Sequence, residues 1–244
     1  MKGAKIQKYI SLTLYAVIML FFVYHAIEAI ATMMGFTSLP EFSLNEYGIA
    51  DNRELILLQC ILGIIVIHVP FIIEKFGKYR FPLPFTVIYD AFLFGAIYFG
   101  EVQDFYITVD LWDDVLHALS SILLGLFAFM LVYLLNKKKS KNVTKIISPL
   151  FISIFAFAFV VMAGAFWEIY EFTFDIFDLN MQKYRFSDLE RTPMPGRDAL
   201  FDTMKDIIVD TVGGLLTAIY GYISLKRKKG FIYNCVKGEN SLKD

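Results

Sequence analysis

The chain has 244 residues, of which 57% are hydrophobic and 17% aromatic, and its mean hydropathy is +0.56. An ordinary soluble domain is far less apolar, so the composition indicates a membrane protein. The formal net charge is −1, and the informative property is therefore where the charges lie. The two cysteines, Cys60 in an apolar stretch and Cys235 in a basic tail, are not expected to form a disulfide.

Six apolar stretches are long enough to cross a bilayer, which requires about 20 helical residues. The first stretch is longer than the apolar part of a signal peptide, so we expect a membrane span there and not a cleaved signal. The predicted fold is all-α: a polytopic membrane helix bundle of six transmembrane helices, in a single domain over residues 1–244. The predicted spans are 9–33, 54–74, 83–101, 112–135, 146–174 and 204–225.

Most of the 23 lysines and arginines lie at the N-terminus, in the loops after the second and fourth spans, and in the C-terminal tail. Basic loops mark the cytoplasmic face, so both termini are expected in the cytoplasm. The predicted location is the plasma or inner membrane, as a multi-pass protein. Anionic lipid headgroups suffice as partners for these basic residues, and no nucleic-acid partner is expected.

Aspartate and glutamate are concentrated at the opposite, extracytoplasmic ends of the spans. Acidic residues contribute little to topology, so insertion does not explain this asymmetry. Their spacing indicates shared helix faces, because residues three or four apart in a helix are neighbours. The residues with this spacing are His25 and Glu28 in the first span, Asp113 and His117 in the fourth, Glu168, Glu171 and Asp175 in the fifth, and Asp202, Asp206 and Asp210 in the sixth.

Four helices are thus expected to bring carboxylates to a similar depth, and two of them also bring imidazoles. Carboxylates that converge away from water need protons, basic partners or a bound cation. Carboxylate–histidine sets on facing helices are how helical bundles build metal sites, and this donor set favours a divalent metal ion such as Zn²⁺, Mn²⁺, Mg²⁺ or Ca²⁺. The predicted ligands are Asp113, His117, Glu171, Asp175, Asp206, Asp210, His25 and Glu28, and the candidate catalytic carboxylates are Glu168 and Asp202.

Each of these residues also has a simpler interpretation. Residues at helix ends face water in many membrane proteins, and Asp113 begins a helix whose free N–H groups a carboxylate caps. His117 is equally explained as a hydrogen-bonded core histidine, and Asp206 and Asp210 by internal salt bridges.

Other polar residues carry weaker signals. His68, just before Pro70, is expected to mark a kink or a local hydrogen bond. Asp90, deep in the third span, has either a functional role or a structural hydrogen bond. In the outer loop, three arginines either hold an anionic headgroup or neutralise nearby acids, namely Arg185, Arg191 and Arg197.

The last three helices resemble the YjdF-type inner-membrane protein family. The resemblance rests on Asp113-x-x-x-His117 with Gly125 beyond it, on Trp167-Glu168-x-x-Glu171-x-x-x-Asp175, and on Asp202-Thr203-x-x-Asp206-x-x-x-Asp210 followed by Gly213-Gly214. It covers roughly half of the chain, and the first three helices match only as a hydrophobic pattern. The resemblance implies that these positions belong together, and it implies no activity or substrate.

The residues leave three functions open. The first is a membrane-embedded, metal-dependent hydrolase or transferase that acts on a lipid-linked or headgroup substrate at the outer leaflet. The second is a cation- or proton-coupled transporter with Asp90 as a deeper relay, although no span shows an interrupted-helix pattern and no inverted repeat is visible. The third is a structural or assembly protein with an acidic, cation-bridged outer face.

Overall fold

The computed structural model describes residues 2–36, 53–139, 142–177, 181–182 and 196–237. These residues are mainly helical, and the elements in chain order are α1 (Lys2–Met33), α2 (Arg53–Val66), α3 (Val69–Gly77), α4 (Leu83–Phe94), a π-helix (Gly95–Val102), α5 (Phe105–Thr108), α6 (Trp112–Asn136), a 3₁₀-helix (Val143–Lys145), α7 (Pro149–Phe174), a 3₁₀-helix (Asp175–Phe177), α8 (Gly196–Arg227) and α9 (Phe231–Lys237).

Within the described ranges, six helical stretches are long and apolar enough to cross a membrane. They are Tyr9–Met33, Arg53–Gly77, Leu83–Val102, Trp112–Asn136, Pro149–Phe177 and Leu200–Arg227. Their ends agree with the predicted spans to within a few residues. The all-α prediction with six spans is confirmed, and the N-in/C-in orientation stays a prediction.

The second span is interrupted between α2 and α3. Pro70 has no backbone N–H, so the carbonyl of Val66, four residues earlier, loses its usual helical partner. The Tyr89 hydroxyl instead donates to that carbonyl at 2.5 Å. His68 lies in the break, where its Nδ1 donates to the Ile64 carbonyl at 2.6 Å and its Nε2 accepts from the Tyr15 hydroxyl at 2.8 Å. His68 is thus the kink feature that the sequence predicted.

The third span changes from α-helix to π-helix at Gly95. The Gln103 N–H reaches the Tyr98 carbonyl, five residues back, at 2.9 Å, which is the π-helical pattern. Gly100 allows the wider turn to pack, since a Cβ there would lie 2.2 Å from the Tyr106 ring. The sequence showed no interrupted-helix pattern, yet the structure departs from a regular α-helix before Pro70 in the second span and from Gly95 onward in the third.

The chain forms two compact units, one of residues 1–69, 86–116 and 170–203, and the other of residues 70–85, 117–169 and 204–244. In the first unit, α1 packs against α2 and the third span. Gly63 makes this close approach feasible, because a Cβ there would lie 2.5 Å from Ile97 and 2.8 Å from Phe22. The buried core residues of the first unit are Ile18, Phe22, Ala26, Cys60, Ile67, Leu93 and Ile97.

In the second unit, α6, α7 and α8 approach one another at small residues of α8. A Cβ on Gly221 would lie 2.0 Å from the Phe129 ring on α6, and one on Gly214 would lie 2.9 Å from Val160 on α7. Side chains of α8 that point to lipid are large and apolar, such as Leu216 at 63% exposed. Small residues at helix contacts let membrane helices pack through van der Waals forces, which dominate where lipid is as apolar as the protein.

Candidate functional site

His117 of α6 lies against two aspartates of α8 in the second unit. Its Nδ1 is 3.3 Å from Asp210 Oδ2, and its Nε2 is 4.0 Å from Asp206 Oδ1. All three side chains are buried, with Asp206 only 1% exposed. Asp206 and Asp210 lie six and ten residues inside the span that begins at Leu200, roughly 9 and 15 Å along the helix. Helix spacing in α8 therefore directs both carboxylates toward the same imidazole, as the i, i+4 pattern predicted.

Glycines bring the three helices close enough for these contacts. A Cβ on Gly164 of α7 would lie 2.4 Å from Asp210 Oδ2, and a Cβ on Gly213 of α8 would lie 1.9 Å from Ser121 Oγ on α6. The backbone of α7 at Gly164 therefore lies directly against the Asp210 carboxylate. Ser121 turns its hydroxyl to its own helix, donating to the Ala118 carbonyl at 2.8 Å.

Asp206 and Asp210 bring two carboxylates beside one imidazole in a membrane-spanning region, where burying charge is costly. Asp210 Oδ1 is buried and accepts no hydrogen bond from the described residues.

Two further carboxylates belong to the helix faces that carry this group. Asp113 lies one turn before His117 on α6, and a carboxylate oxygen comes within 4.8 Å of a ring nitrogen of His117. Glu168 lies one turn beyond Gly164 on α7, the face that abuts Asp210, and is 5% exposed. His117 and Asp206, with Asp113 on the same helix as His117, make an Asp/His/Asp group of the kind that holds a metal ion.

His25 and Glu28 form a separate pair in the first unit. Both are buried, and the Nδ1 of His25 donates to Glu28 Oε2 at 2.8 Å. Aromatic rings surround the imidazole, with ring centroids of Tyr24 and Tyr98 at 5.0 and 5.6 Å. The pair is therefore a hydrogen-bonded couple inside an aromatic cage. Within the described residues it is not part of a group of three potential ligands.

The other predicted site residues have varied placements. Asp175 is buried and accepts a hydrogen bond from the backbone N–H of Met181 at 2.5 Å, so its carboxylate stabilises the chain just after α7. Asp202 is buried one turn before Asp206 on α8, and Glu171 is half-buried. Arg197 is exposed near the start of α8. Arg185 and Arg191 lie outside the described residues.

Sequence reasoning missed Gly164, which lies against the aspartate–imidazole group, since a Cβ there would lie 2.4 Å from Asp210 Oδ2. Gly164 had a weak signal, since it stands one turn before Glu168. A glycine in a membrane span allows another helix to come close, and this one lies one turn from a carboxylate.

The six apolar spans, together with a buried His/carboxylate group inside them, define a multi-pass integral membrane protein. The chain belongs to a family described as "Predicted membrane protein (DUF2238)", which matches residues 10–227. This match extends over all six spans, whereas the resemblance seen in the sequence was confined to the last three.

The chain is also similar to an uncharacterized protein of Thermotoga maritima. The two are 27% identical over 146 residues, which is 59% of this chain and 65% of that protein. This chain therefore matches just under two thirds of that relative's length. No solved structure matches the chain.

Proposed function

We propose that this protein binds a divalent metal ion at His117 and Asp206, with Asp113 as a further ligand, and acts as a membrane hydrolase or transferase. The substrate class is a lipid-linked or headgroup substrate that carries a phosphoryl or acyl group. The observation that supports the proposal is the imidazole of His117 held between Asp206 and Asp210 at 4.0 and 3.3 Å, deep in a spanning helix.

A divalent cation would offset the negative charge of the proposed carboxylate ligands. Asp113 and Asp206 carry two negative charges between them, which equals the charge of one such ion. Ligand atoms that share an ion at about 2.1 Å lie roughly 3 to 4 Å apart, and the 4.0 Å between His117 Nε2 and Asp206 Oδ1 is in that range. Carboxylate and imidazole donors suit Zn²⁺ or Mn²⁺.

The remaining carboxylates supply proton transfer in this proposal. A bound metal ion polarises a phosphoryl or acyl oxygen and activates water. Glu168, buried on the α7 face that abuts Asp210, is the candidate general base. Asp202, one turn before Asp206 on α8, is the second candidate for proton transfer.

Elemental analysis of the gently purified protein tests the metal, with Asp206→Asn as the variant and Asp90→Asn as the matched control. Both aspartates are buried in spans, at 1% and 5% exposed. The wild type and Asp90→Asn should retain the metal, while Asp206→Asn should lose it. A wild type that carries no metal and shows no stabilisation by added Zn²⁺ or Mn²⁺ overturns the proposal.

Activity is tested by release of phosphate or fatty acid from phosphatidic acid in mixed micelles. Glu168→Gln should retain the metal and lose turnover, because only the proposed base has changed. A metal-loaded wild type that releases neither product from lipid substrates points instead to the structural role, in which the cation bridges helices.

A cation- or proton-coupled transporter is the second candidate, and the third span favours it. That span is π-helical in Gly95–Val102 and carries Asp90, a carboxylate only 5% exposed. π-Helical segments occur often at functional sites. Proton or cation flux into liposomes that stops in Asp90→Asn and persists in Asp206→Asn would establish this alternative.

A further inference from the structure

The chain turns at the end of α8, and a buried serine holds the turn. The Ser224 hydroxyl donates to the Lys229 carbonyl at 2.8 Å and accepts from the backbone N–H of Tyr233 at 3.1 Å. Ser224 is only 4% exposed. Lys228 and Gly230 adopt the left-handed conformation, with φ of 54° and 96°, which directs the chain out of the helix. The start of α9 is therefore fixed next to the end of α8.

The C-terminal helix α9 packs against the segment that follows α6. Ile232, Cys235 and Val236 of α9 are buried, and the helix contacts the 3₁₀-helix Val143–Lys145. Val143 is itself 0% exposed. The segments that follow α6 and α8 therefore form one surface at the same end of the second unit.

The charged residues of this surface are all basic. Residues 130–149 and residues 217–237 each include five lysines or arginines and no aspartate or glutamate. The basic turn, residues 226–229, is exposed throughout, as is Lys145 of the 3₁₀-helix. Like charges at such close spacing repel one another, so this surface favours an anionic partner.

An apolar row on α8 leads to the basic turn. Leu216, Tyr220 and Ile223 are 63%, 51% and 41% exposed, and their spacing of four and three residues places them on one helix face. Lys226 continues this face three residues after Ile223, and its Nζ lies over the Tyr222 ring, 5.5 Å from the centroid. From Leu216 to Lys226 the helix rises about 15 Å, which matches half of the roughly 30 Å hydrocarbon core of a bilayer. The row therefore has the length of the acyl chains of one leaflet, and it ends in a cation.

We propose that the basic turn binds the phosphate headgroup of an anionic phospholipid, whose acyl chains lie along the row of Leu216, Tyr220 and Ile223. A basic turn alone would accept any anion, and the apolar row of matching length selects a lipid. The basic turn lies at the opposite end of α8 from Asp206, about 30 Å along the helix. This lipid is therefore a bound partner and not the substrate of the proposed metal site.

Quenching by brominated lipids measures this interaction at the site. Ile223→Trp places a reporter one turn before Lys226, and the parent chain, whose two tryptophans are Trp112 and Trp167, gives the background signal. In phosphatidylcholine liposomes, brominated phosphatidylglycerol should quench the reporter in preference to brominated phosphatidylcholine. We expect a preference of at least about fivefold, the ratio that corresponds to one basic residue near an anionic surface. Raising NaCl from about 0.1 to 1 M should remove most of this preference, because the screening length falls from about 10 to 3 Å.

Matched triple variants separate a site at the basic turn from the effect of net charge. Replacing the three lysines of the turn by glutamine should abolish the preference, and replacing them by arginine should preserve it. The control replaces three lysines of α1 by glutamine, which removes the same charge elsewhere and should leave the preference unchanged. The two sets are Lys226, Lys228 and Lys229, and Lys2, Lys5 and Lys8.

Equal quenching of the reporter by the two lipids, or a preference that survives about 1 M NaCl, overturns the proposal without any variant of the basic turn. A loss of equal size in the α1 control would show that net charge alone attracts the lipid, which also refutes a site at the turn. Displacement of the lipid by soluble glycerol phosphate would show that the turn binds free phosphate, and it would contradict the role of the apolar row. The metal content of the protein tests the proposed function separately from all of these results.

Discussion

Asp206 and Asp210 are the residues whose positions most need a physical explanation. An aspartate at the centre of a membrane helix costs about 2.5 to 3.5 kcal/mol on insertion, and α8 carries both of them buried. A single imidazole lies close to both. The role of this group therefore depends on which interaction offsets the burial of the two carboxylates. Whether Asp206→Asn raises or lowers the melting temperature distinguishes the possible interactions.

Replacement of Asp206 by asparagine should lower metal occupancy and abolish metal-dependent thermal stabilisation together. Asparagine preserves the shape of the side chain and removes a charged ligand. Stabilisation by a bound ligand is RT ln(1 + [L]/Kd), about 2.7 kcal/mol at a hundredfold excess over Kd, which melting curves with and without EDTA resolve. The same change at Asp90 should leave the EDTA effect intact.

Two other mechanisms predict different melting behaviour for Asp206→Asn. If the carboxylates bind no cation, asparagine relieves repulsion and the metal-free variant should melt above the wild type. If Asp206 is instead held by a salt bridge to a basic residue, the variant should be destabilised regardless of EDTA, and neutralising that basic residue should partly restore the stability. Either pattern contradicts the metal site.

Among the elements, the sequence predicted the ends of all six spans to within a few residues and the kink at His68, but not the π-helix of the third span. Hydropathy determines the spans, because only about 20 apolar helical residues satisfy the bilayer. The break at His68 was visible in Pro70, yet its partner Tyr89 lies on another helix and leaves no local signal. The contact of Gly164 with Asp210 is likewise tertiary, so spacing alone identified the aspartate and missed the glycine.

The α6–α8 contact at Gly221 should tolerate no added methyl group. In Gly221→Ala the new Cβ would lie 2.0 Å from the Phe129 ring, and we expect a loss of about 1 to 3 kcal/mol in unfolding free energy from overpacking. Phe129→Leu in the same chain should recover part of this loss, since it vacates that space. Unfolding in detergent micelles measures both effects.

The lipid-facing substitution Leu216→Ala is the control for this double-mutant cycle, because it changes α8 away from the contact. The two variants at Gly221 and Phe129 should be coupled by at least about 0.5 kcal/mol, as expected for residues in contact. Strict additivity would show that α6 and α8 do not meet at this point.

The break in the second span yields a prediction about backbone hydrogen bonds. Tyr89→Phe removes the donor to the Val66 carbonyl, which Pro70 cannot replace. We expect a loss of about 1 to 3 kcal/mol in stability, because the Val66 carbonyl lies within a membrane span, where no water replaces the lost donor. Pro70→Ala restores an N–H four residues after Val66, so the double variant should lose less than Tyr89→Phe alone. Equal losses in both would contradict this account of the break.

For the whole molecule, charge decides orientation while apolar length decides the number of crossings. Six crossings would place both termini on one side of the membrane, and the basic segments at both ends of the chain predict that this side is the cytoplasm. The described residues include exposed positions on either side of α6, the helix that carries His117: Thr108 precedes it and Lys139 follows it. Labelling these two positions therefore tests the orientation of the helix that carries the site.

Cysteines at Thr108 and Lys139, each in a chain with Cys60 and Cys235 replaced by alanine, should react from opposite sides. Both native cysteines are buried, so melting of the background variant must first match the wild type. A membrane-impermeant maleimide should label Thr108→Cys on intact cells and Lys139→Cys only after permeabilisation, because the lysine-rich segment after α6 is predicted to stay in the cytoplasm. Labelling of both from outside would mean that α6 does not cross the membrane. The reverse pattern would place His117 and its aspartates toward the cytoplasmic face and exclude a substrate in the outer leaflet.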